Sequence, residues 1–314
     1  MIETRGLAKS FGTGEGAIEA VRGVDLAVDE GQVFGFLGPN GAGKTTTLRM
    51  LVTLLPPTAG EATVVGHDLR TQAAEVRRRI GYVSQGFSSA PGMTGRGELV
   101  MQGRMYGMDA REAQGRAQQV LEHLDLVDAA DRPIRTWSGG MRRRLDVGMG
   151  IVHRPALLFL DEPTTGLDPQ ARAGLWDEIS ALRAMGTTVF LTTHYLDEAD
   201  ALCDRLAIID HGTIVVEGTP EELKRRIAGD VVTIGVPEAA DAVLALVSGQ
   251  PFVREASRDD GLVRAYVDHG ESALPTLLRL LDAQGLAPQT LSLNRPSLDD
   301  VFLRQTGRSL RDAA

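Results

Sequence analysis

The sequence predicts a two-part chain, an α/β domain built on a mostly parallel sheet followed by a small α+β module. Three observations support this. Up to about residue 228, short apolar runs (32–37, 156–160, 187–192, 205–209) alternate with longer helical stretches, as in α/β folds whose strands are buried on both faces. After IAGD the pattern changes to the order βαββαβ, which fits a ferredoxin-like module. The 314 residues, 43% hydrophobic and 24% charged, suffice for two cores and do not match the composition of a disordered or fibrous chain.

Charge and cysteine content narrow the function classes. A formal net charge of -9 argues against a general nucleic-acid binder, since neutralising phosphates needs an excess of basic side chains. Only Lys9, Lys44 and Lys224 are lysines, so a lysine inside a motif stands out. The single Cys203 can form neither an internal disulfide nor a metal cluster, and it is expected to act as a small buried apolar residue. No apolar run reaches the length of a bilayer crossing, and MIETRGLAKSFG lacks the apolar core of a secretion signal, so a cytoplasmic location is expected.

The first chemical motif is GQVFGFLGPNGAGKTTT, ending at Thr47. An apolar strand runs into Gly38, Pro39, Asn40, Gly41, Ala42, Gly43, Lys44 and Thr45, the pattern G-x-x-x-x-G-K-[ST], and a helical stretch follows from Thr46. Glycines let successive backbone N–H groups turn around a polyphosphate, and the helix N-terminus adds its partial positive charge. Lys44 can reach the outer phosphates, and the Thr45 hydroxyl suits a magnesium ion. A second motif, ALLFLDEP at 156–163, ends an apolar strand in two carboxylates. At the C-terminal end of a buried parallel strand, Asp161 suits the surroundings of Mg²⁺, and Glu162 can orient or deprotonate water. Between them, WSGGMRRRL at 137–145 places Ser138, Gly139 and Gly140 at a helix start, a possible second phosphate cradle.

GPNGAGKT, the SGGM run, LFLDEP, the GLDP of 166–169 and the isolated His194 together resemble the nucleotide-binding subunit of an ABC transporter, in order and spacing, over about residues 2–228. The resemblance implies a P-loop ATPase fold with a helical subdomain at about 86–150 and an accessory domain at 231–314. It implies ATP and Mg²⁺ as ligands, with Gly38 to Thr46 holding the phosphates and Thr45, Gln85 and Asp161 around the metal. Gln85 resembles the residue that senses metal and water, Glu162 the base, and His194 the histidine that contacts the γ-phosphate. Phe11 is similar to the aromatic that stacks on adenine, a role for which a π face suffices. Asp168 resembles the residue that couples two sites across a dimer.

The family's best-known signature is LSGGQ. Trp137 and Met141 depart from it, which implies altered packing while Ser138, Gly139 and Gly140 remain to touch phosphate from the facing subunit. Arginines 142, 143 and 144 are expected on a solvated face or at a dimer contact. The resemblance further implies a homodimer, a separate polytopic membrane permease contacted through residues 95–131, a peripheral place on the cytoplasmic face of the cell membrane, and no nucleic acid.

The C-terminal part, with its closing SLDDVFLRQTG capped by Ser297, looks most like daunorubicin-resistance ATP-binding subunits, and so implies export of a hydrophobic drug or natural product. Related subunits serve lipids, polysaccharides, peptides and ions, and these cargoes stay open. The accessory module could be regulatory, dimer-stabilising or a packing extension. Two other classes are a soluble ATPase acting on ribosomes or DNA, which one cassette, no heptad run and the acidic charge weigh against, and an ATP-sensing interaction protein, which would lack a base such as Glu162.

Overall fold

The computed structural model describes residues 1–226, 230–236, 239–259, 261–294 and 297–307. Two compact units meet between Thr219 and Pro220. In chain order the first contains β1 (Ile2–Phe11), β2 (Ile18–Val28), β3 (Val33–Leu37), α1 (Lys44–Leu51), β4 (Ala59–Val64), β5 (His67–Asp68), α2 (Ala73–Arg79), β6 (Ile80–Val83), α3 (Gly95–Met105), α4 (Ala110–His123), α5 (Gly139–Ile151), β7 (Leu157–Asp161), α6 (Pro169–Ala184), β8 (Thr188–Thr193), α7 (Leu196–Leu202), β9 (Arg205–Asp210) and β10 (Thr213–Gly218).

The central sheet has the order β10-β9-β3-β8-β7-β6. All its neighbours pair in parallel except the edge pair β10 and β9. Strands β3, β7 and β8 are buried at every position, which explains their unbroken apolar character in place of alternation. A second, antiparallel sheet has the order β2-β1-β4-β5. The main core takes Ile2, Leu7 and Val64 from this sheet, Phe34, Phe36, Phe159 and Phe190 from the central one, and Leu48 and Leu51 from α1. Cys203 is buried against Gly35 of β3, where a glycine is needed because a Cβ would stand 3.2 Å from Leu206 Cβ and run into the sulfur. That is the small apolar role the sequence suggests.

Sheet order positions the functional segments. Leu37 of β3 pairs with Thr193 of β8, Thr192 with Asp161 of β7, and Leu160 with Val83 of β6. The glycine-rich loop, His194, Glu162 and Gln85 therefore leave four successive neighbouring strands at the same, C-terminal edge. With neighbouring strands roughly 4.8 Å apart, this row spans about 14 Å.

The second unit comprises α8 (Pro220–Arg226), β11 (Asp230–Gly235), α9 (Ala240–Ser248), β12 (Val253–Asp259), β13 (Leu262–Val267), α10 (Gly270–Ala283), β14 (Thr290–Asn294) and α11 (Leu298–Thr306). Its sheet order, β12-β13-β11-β14 with antiparallel neighbours, is the split βαβ arrangement of a ferredoxin-like fold. Val232, Ile234, Val263 and Ala265 pack on Val243 and Val247 of α9 and on Leu277 and Leu281 of α10. Ser297 caps α11 through a reciprocal box: its Oγ accepts from Asp300 N, and Asp300 accepts from Ser297 N at 2.9 Å.

The division between units falls upstream of the break read from composition near 228–231. Helix α8 packs on α11 and so belongs with the second unit. Residues 227–229, 237–238, 260, 295–296 and 308–314 lie outside the described residues.

Candidate active site

Between β3 and α1 the chain turns tightly around its own backbone. Gly43 has φ +105, and a Cβ there would stand 2.6 Å from Ala20 O, so the position admits glycine alone. Gly38 N donates to Thr193 O at 3.2 Å and ties the loop to β8. Lys44 is 4% exposed. Its Nζ donates to Gly38 O at 2.7 Å and Pro39 O at 3.1 Å, and lies 3.2 Å from Glu162 Oε1. Burial lowers the Lys44 pKa, and the neighbouring Glu162 carboxylate works against that shift.

The two carboxylates at the end of β7 have separate partners. Asp161 Oδ1 accepts from Thr45 Oγ1 at 3.0 Å and from Thr192 Oγ1 at 2.7 Å. Glu162 sits in the left-handed region at φ 45, uncommon for a side chain of this size, and is held there by its N–H, which donates to Thr192 O at 3.1 Å and to Thr192 Oγ1 at 3.0 Å. Glu162 Oε2 accepts from Gln85 Nε2 at 2.9 Å and from Thr165 Oγ1 at 3.3 Å, with His194 Nδ1 3.3 Å away. Burial alone would raise the Glu162 carboxyl; the contact with His194 and the charge of Lys44 outweigh it and bring the pKa down to about 2.

Lys44, Thr45, Gln85, Asp161, Glu162 and His194 thus form one cluster. The other expected residues stand elsewhere in the chain. Ser138 caps α5, its Oγ accepting from Met141 N at 3.2 Å, with Gly139 and Gly140 in the first turn. Asp168 caps α6 by accepting from Ala171 N at 2.8 Å. Phe11 is exposed, with Lys9 Nζ over its ring, 5.3 Å from the centroid. Trp137 is buried against Gly95 at the start of α3, where a Cβ would run into the indole.

One expectation is corrected. Arg143, the middle one of the three arginines after the signature, does not lie on a solvated face, while Arg142 and Arg144 are half-buried. Arg143 is 3% exposed and donates through Nε to Pro163 O at 2.6 Å and through Nη1 to Ser84 O at 2.7 Å. Arg144 bonds Leu124 O at 2.9 Å, and Arg142 bonds Arg135 O at 3.1 Å while lying over the Phe87 ring. Backbone carbonyls at turns and element ends accept their hydrogen bonds. Sequence reading also missed Thr192, whose hydroxyl joins Asp161 to the Glu162 backbone. Its one visible signal is the pair of threonines that closes the apolar run of β8.

A glycine-rich loop, a buried lysine and a strand-end carboxylate pair on a parallel sheet define a P-loop nucleoside triphosphatase. Residues 21–165 match the ABC transporter family model, and residues 218–306 match that of the ATP-binding protein DrrA1-3-like, C-terminal domain. The chain is 46% identical over 298 residues to the daunorubicin resistance ATP-binding protein DrrA2 of Streptomyces coeruleorubidus, covering 93% of this chain and 92% of that one. It is 45% identical over 316 residues to the daunorubicin/doxorubicin resistance ATP-binding protein DrrA of Streptomyces peucetius, covering 99% and 94%. A solved ATP-binding cassette, a dimer in a post-hydrolysis state bound to ADP and Pi, superposes with a TM-score of 0.64 at 26% identity, covering 70% of this chain and 98% of that one. The chain belongs to the ABC transporter family, as an ATP-binding subunit that hydrolyses ATP.

Proposed function

We propose that this ATPase energises export of a hydrophobic drug or natural product through a separate polytopic permease, working as a homodimer on the cytoplasmic face of the cell membrane. The observation that carries this reading is the similarity to a daunorubicin/doxorubicin resistance subunit across 99% of the chain, C-terminal unit included. Among the described residues no helix is long and apolar enough to cross a membrane.

In this reading the N–H groups of the glycine-rich loop and Lys44 hold the outer phosphates, and Phe11 stacks on adenine. Residues 138–140 of one copy close over the phosphates held by the other, and Asp168 couples the two sites. The Thr45 hydroxyl and an Asp161 oxygen are 3.0 Å apart, and Gln85 donates to Glu162 through its nitrogen, which leaves its amide oxygen free to act as a ligand. This all-oxygen set fits Mg²⁺, which when bound neutralises charge on the phosphate oxygens.

Glu162 orients a water and takes its proton as the water oxygen attacks the γ-phosphorus and the bond to the bridging oxygen of ADP breaks. Gln85 donates to Oε2 of the Glu162 carboxylate, and His194 Nδ1 lies 3.3 Å from the same oxygen. Phosphate oxygens compete with Glu162 for Lys44. Drawing the ammonium away removes one of the influences that keep the carboxyl acidic, so the base strengthens when a triphosphate is seated.

The test uses inside-out vesicles containing the polytopic protein that co-purifies with the chain. ATP-dependent daunorubicin uptake should require the chain and be lost with Glu162→Gln. Uptake that is unchanged without the chain, or co-purification with ribosomes in place of a membrane protein, would overturn the reading.

A further inference from the structure

The segment carrying Gln85 leaves β6 and is bracketed by two side chains of α5, one helical turn apart. On the near side, Arg143 Nη1 donates to Ser84 O, the carbonyl immediately before Gln85, at 2.7 Å. The same guanidinium donates through Nε to Pro163 O at 2.6 Å, the carbonyl immediately after Glu162, and through Nη2 to Asp161 O at 3.4 Å. One buried cation thus fastens the backbone beside Gln85 to the backbone beside Glu162. On the far side, Asp146 Oδ1 accepts from Ser88 N at 3.2 Å. Asp146 is 2% exposed, and its Oδ2 has no hydrogen-bond partner. From α3, Glu98 accepts from Ala90 N at 2.7 Å and continues the same restraint.

A buried guanidinium is kept only where charge and hydrogen bonds compensate it. Here the charges of Asp146, Asp161 and Glu198 act on Arg143, and three backbone carbonyls accept its hydrogen bonds. The polar groups buried here converge on the backbone flanking the two residues whose side chains meet at 2.9 Å, Gln85 and Glu162.

We propose that Arg143 and Asp146 are positioning residues for ATP hydrolysis: together they clamp the segment on both sides of Gln85 and hold its amide against Glu162. This rests on the reading of Glu162 as the base and Gln85 as its orienting partner.

The experiment measures kcat and KM for ATP with the full chain. Arg143→Lys keeps the charge but cannot span the carbonyls on both sides. It should lower kcat about tenfold with KM within twofold of wild type, and in a Gln85→Ala background it should lower kcat by less than twofold further. Asp146→Ala should behave likewise, whereas Asp146→Asn, which keeps an oxygen for the Ser88 N–H, should recover most of the loss. If Arg143→Lys does not fold, the Asp146 pair decides. A slow Glu162→Gln together with an undiminished effect of the clamp variants in the Gln85→Ala background overturns the clamp alone; a Glu162→Gln of wild-type speed overturns the reading beneath it.

Discussion

Glu162→Gln separates the electrostatic role of this carboxylate from its chemical one. In the chain without nucleotide, the carboxylate lies 3.2 Å from Lys44 and its pKa is held at about 2, against an ordinary 4.5. That difference corresponds to about 3 kcal/mol of folding free energy at neutral pH, which solvent access to the site trims to about 2 kcal/mol. For a unit of this size, the substitution should lower the thermal midpoint at pH 7 by about 4–8 °C. The folded-state pKa is depressed, so the stabilisation is present in full above about pH 4.5 and is lost as pH falls toward 2. The gap between wild type and variant should shrink by about half by pH 3. ATP affinity should be unchanged or higher, because Lys44 is no longer shared, while single-turnover hydrolysis falls by about 10²–10⁴ and dimers accumulate on a sizing column with ATP. Calorimetry across pH, fluorescent-nucleotide titration and rapid-quench hydrolysis measure the three quantities. Hydrolysis within tenfold of wild type refutes the assigned base, and a thermal gap that persists undiminished at pH 3 refutes its electrostatic origin.

Lys44→Ala should weaken ATP binding by about 10- to 100-fold in isothermal titration, the range for losing a charged hydrogen-bond donor; unchanged affinity would contradict the cradle. Phe11→Ala should cost about 0.5–1.5 kcal/mol in ATP affinity and leave tripolyphosphate binding untouched, and an equal loss for both ligands would place the ring away from the base. Gly95→Ala should destabilise by about 1–3 kcal/mol through overpacking on Trp137, visible in denaturant unfolding. Pairing it with Trp137→Leu should relieve part of that cost, and additive losses would show that the indole is not the obstacle.

The parts of the site legible in sequence are those whose chemistry is local. Gly43 and Lys44 are neighbours in a turn whose geometry demands a glycine, and Asp161 with Glu162 ends an apolar run, so spacing alone exposes both. The ferredoxin-like order was legible for the same reason, since each strand and helix carries its own periodicity. Arg143 was not, because its partners Ser84 and Pro163 are 59 and 20 residues away, and three consecutive arginines read as solvent-facing until those carbonyls are in view. Thr192 was missed because its partner strand is distant in sequence. The boundary at Pro220 depends on α8 packing against α11, about 80 residues later, which no compositional shift announces.

Cys203, pressed against Gly35 beneath the strand that leads into the glycine-rich loop, makes the wild-type chain its own reporter. As the only sulfhydryl present, it can react with a maleimide only when this part of the sheet breathes, so labelling kinetics record opening events without any engineered handle. Whatever ligand tightens the sheet will slow that clock, and a shelf of unlabelled candidate nucleotides can be ranked by the delay each one imposes.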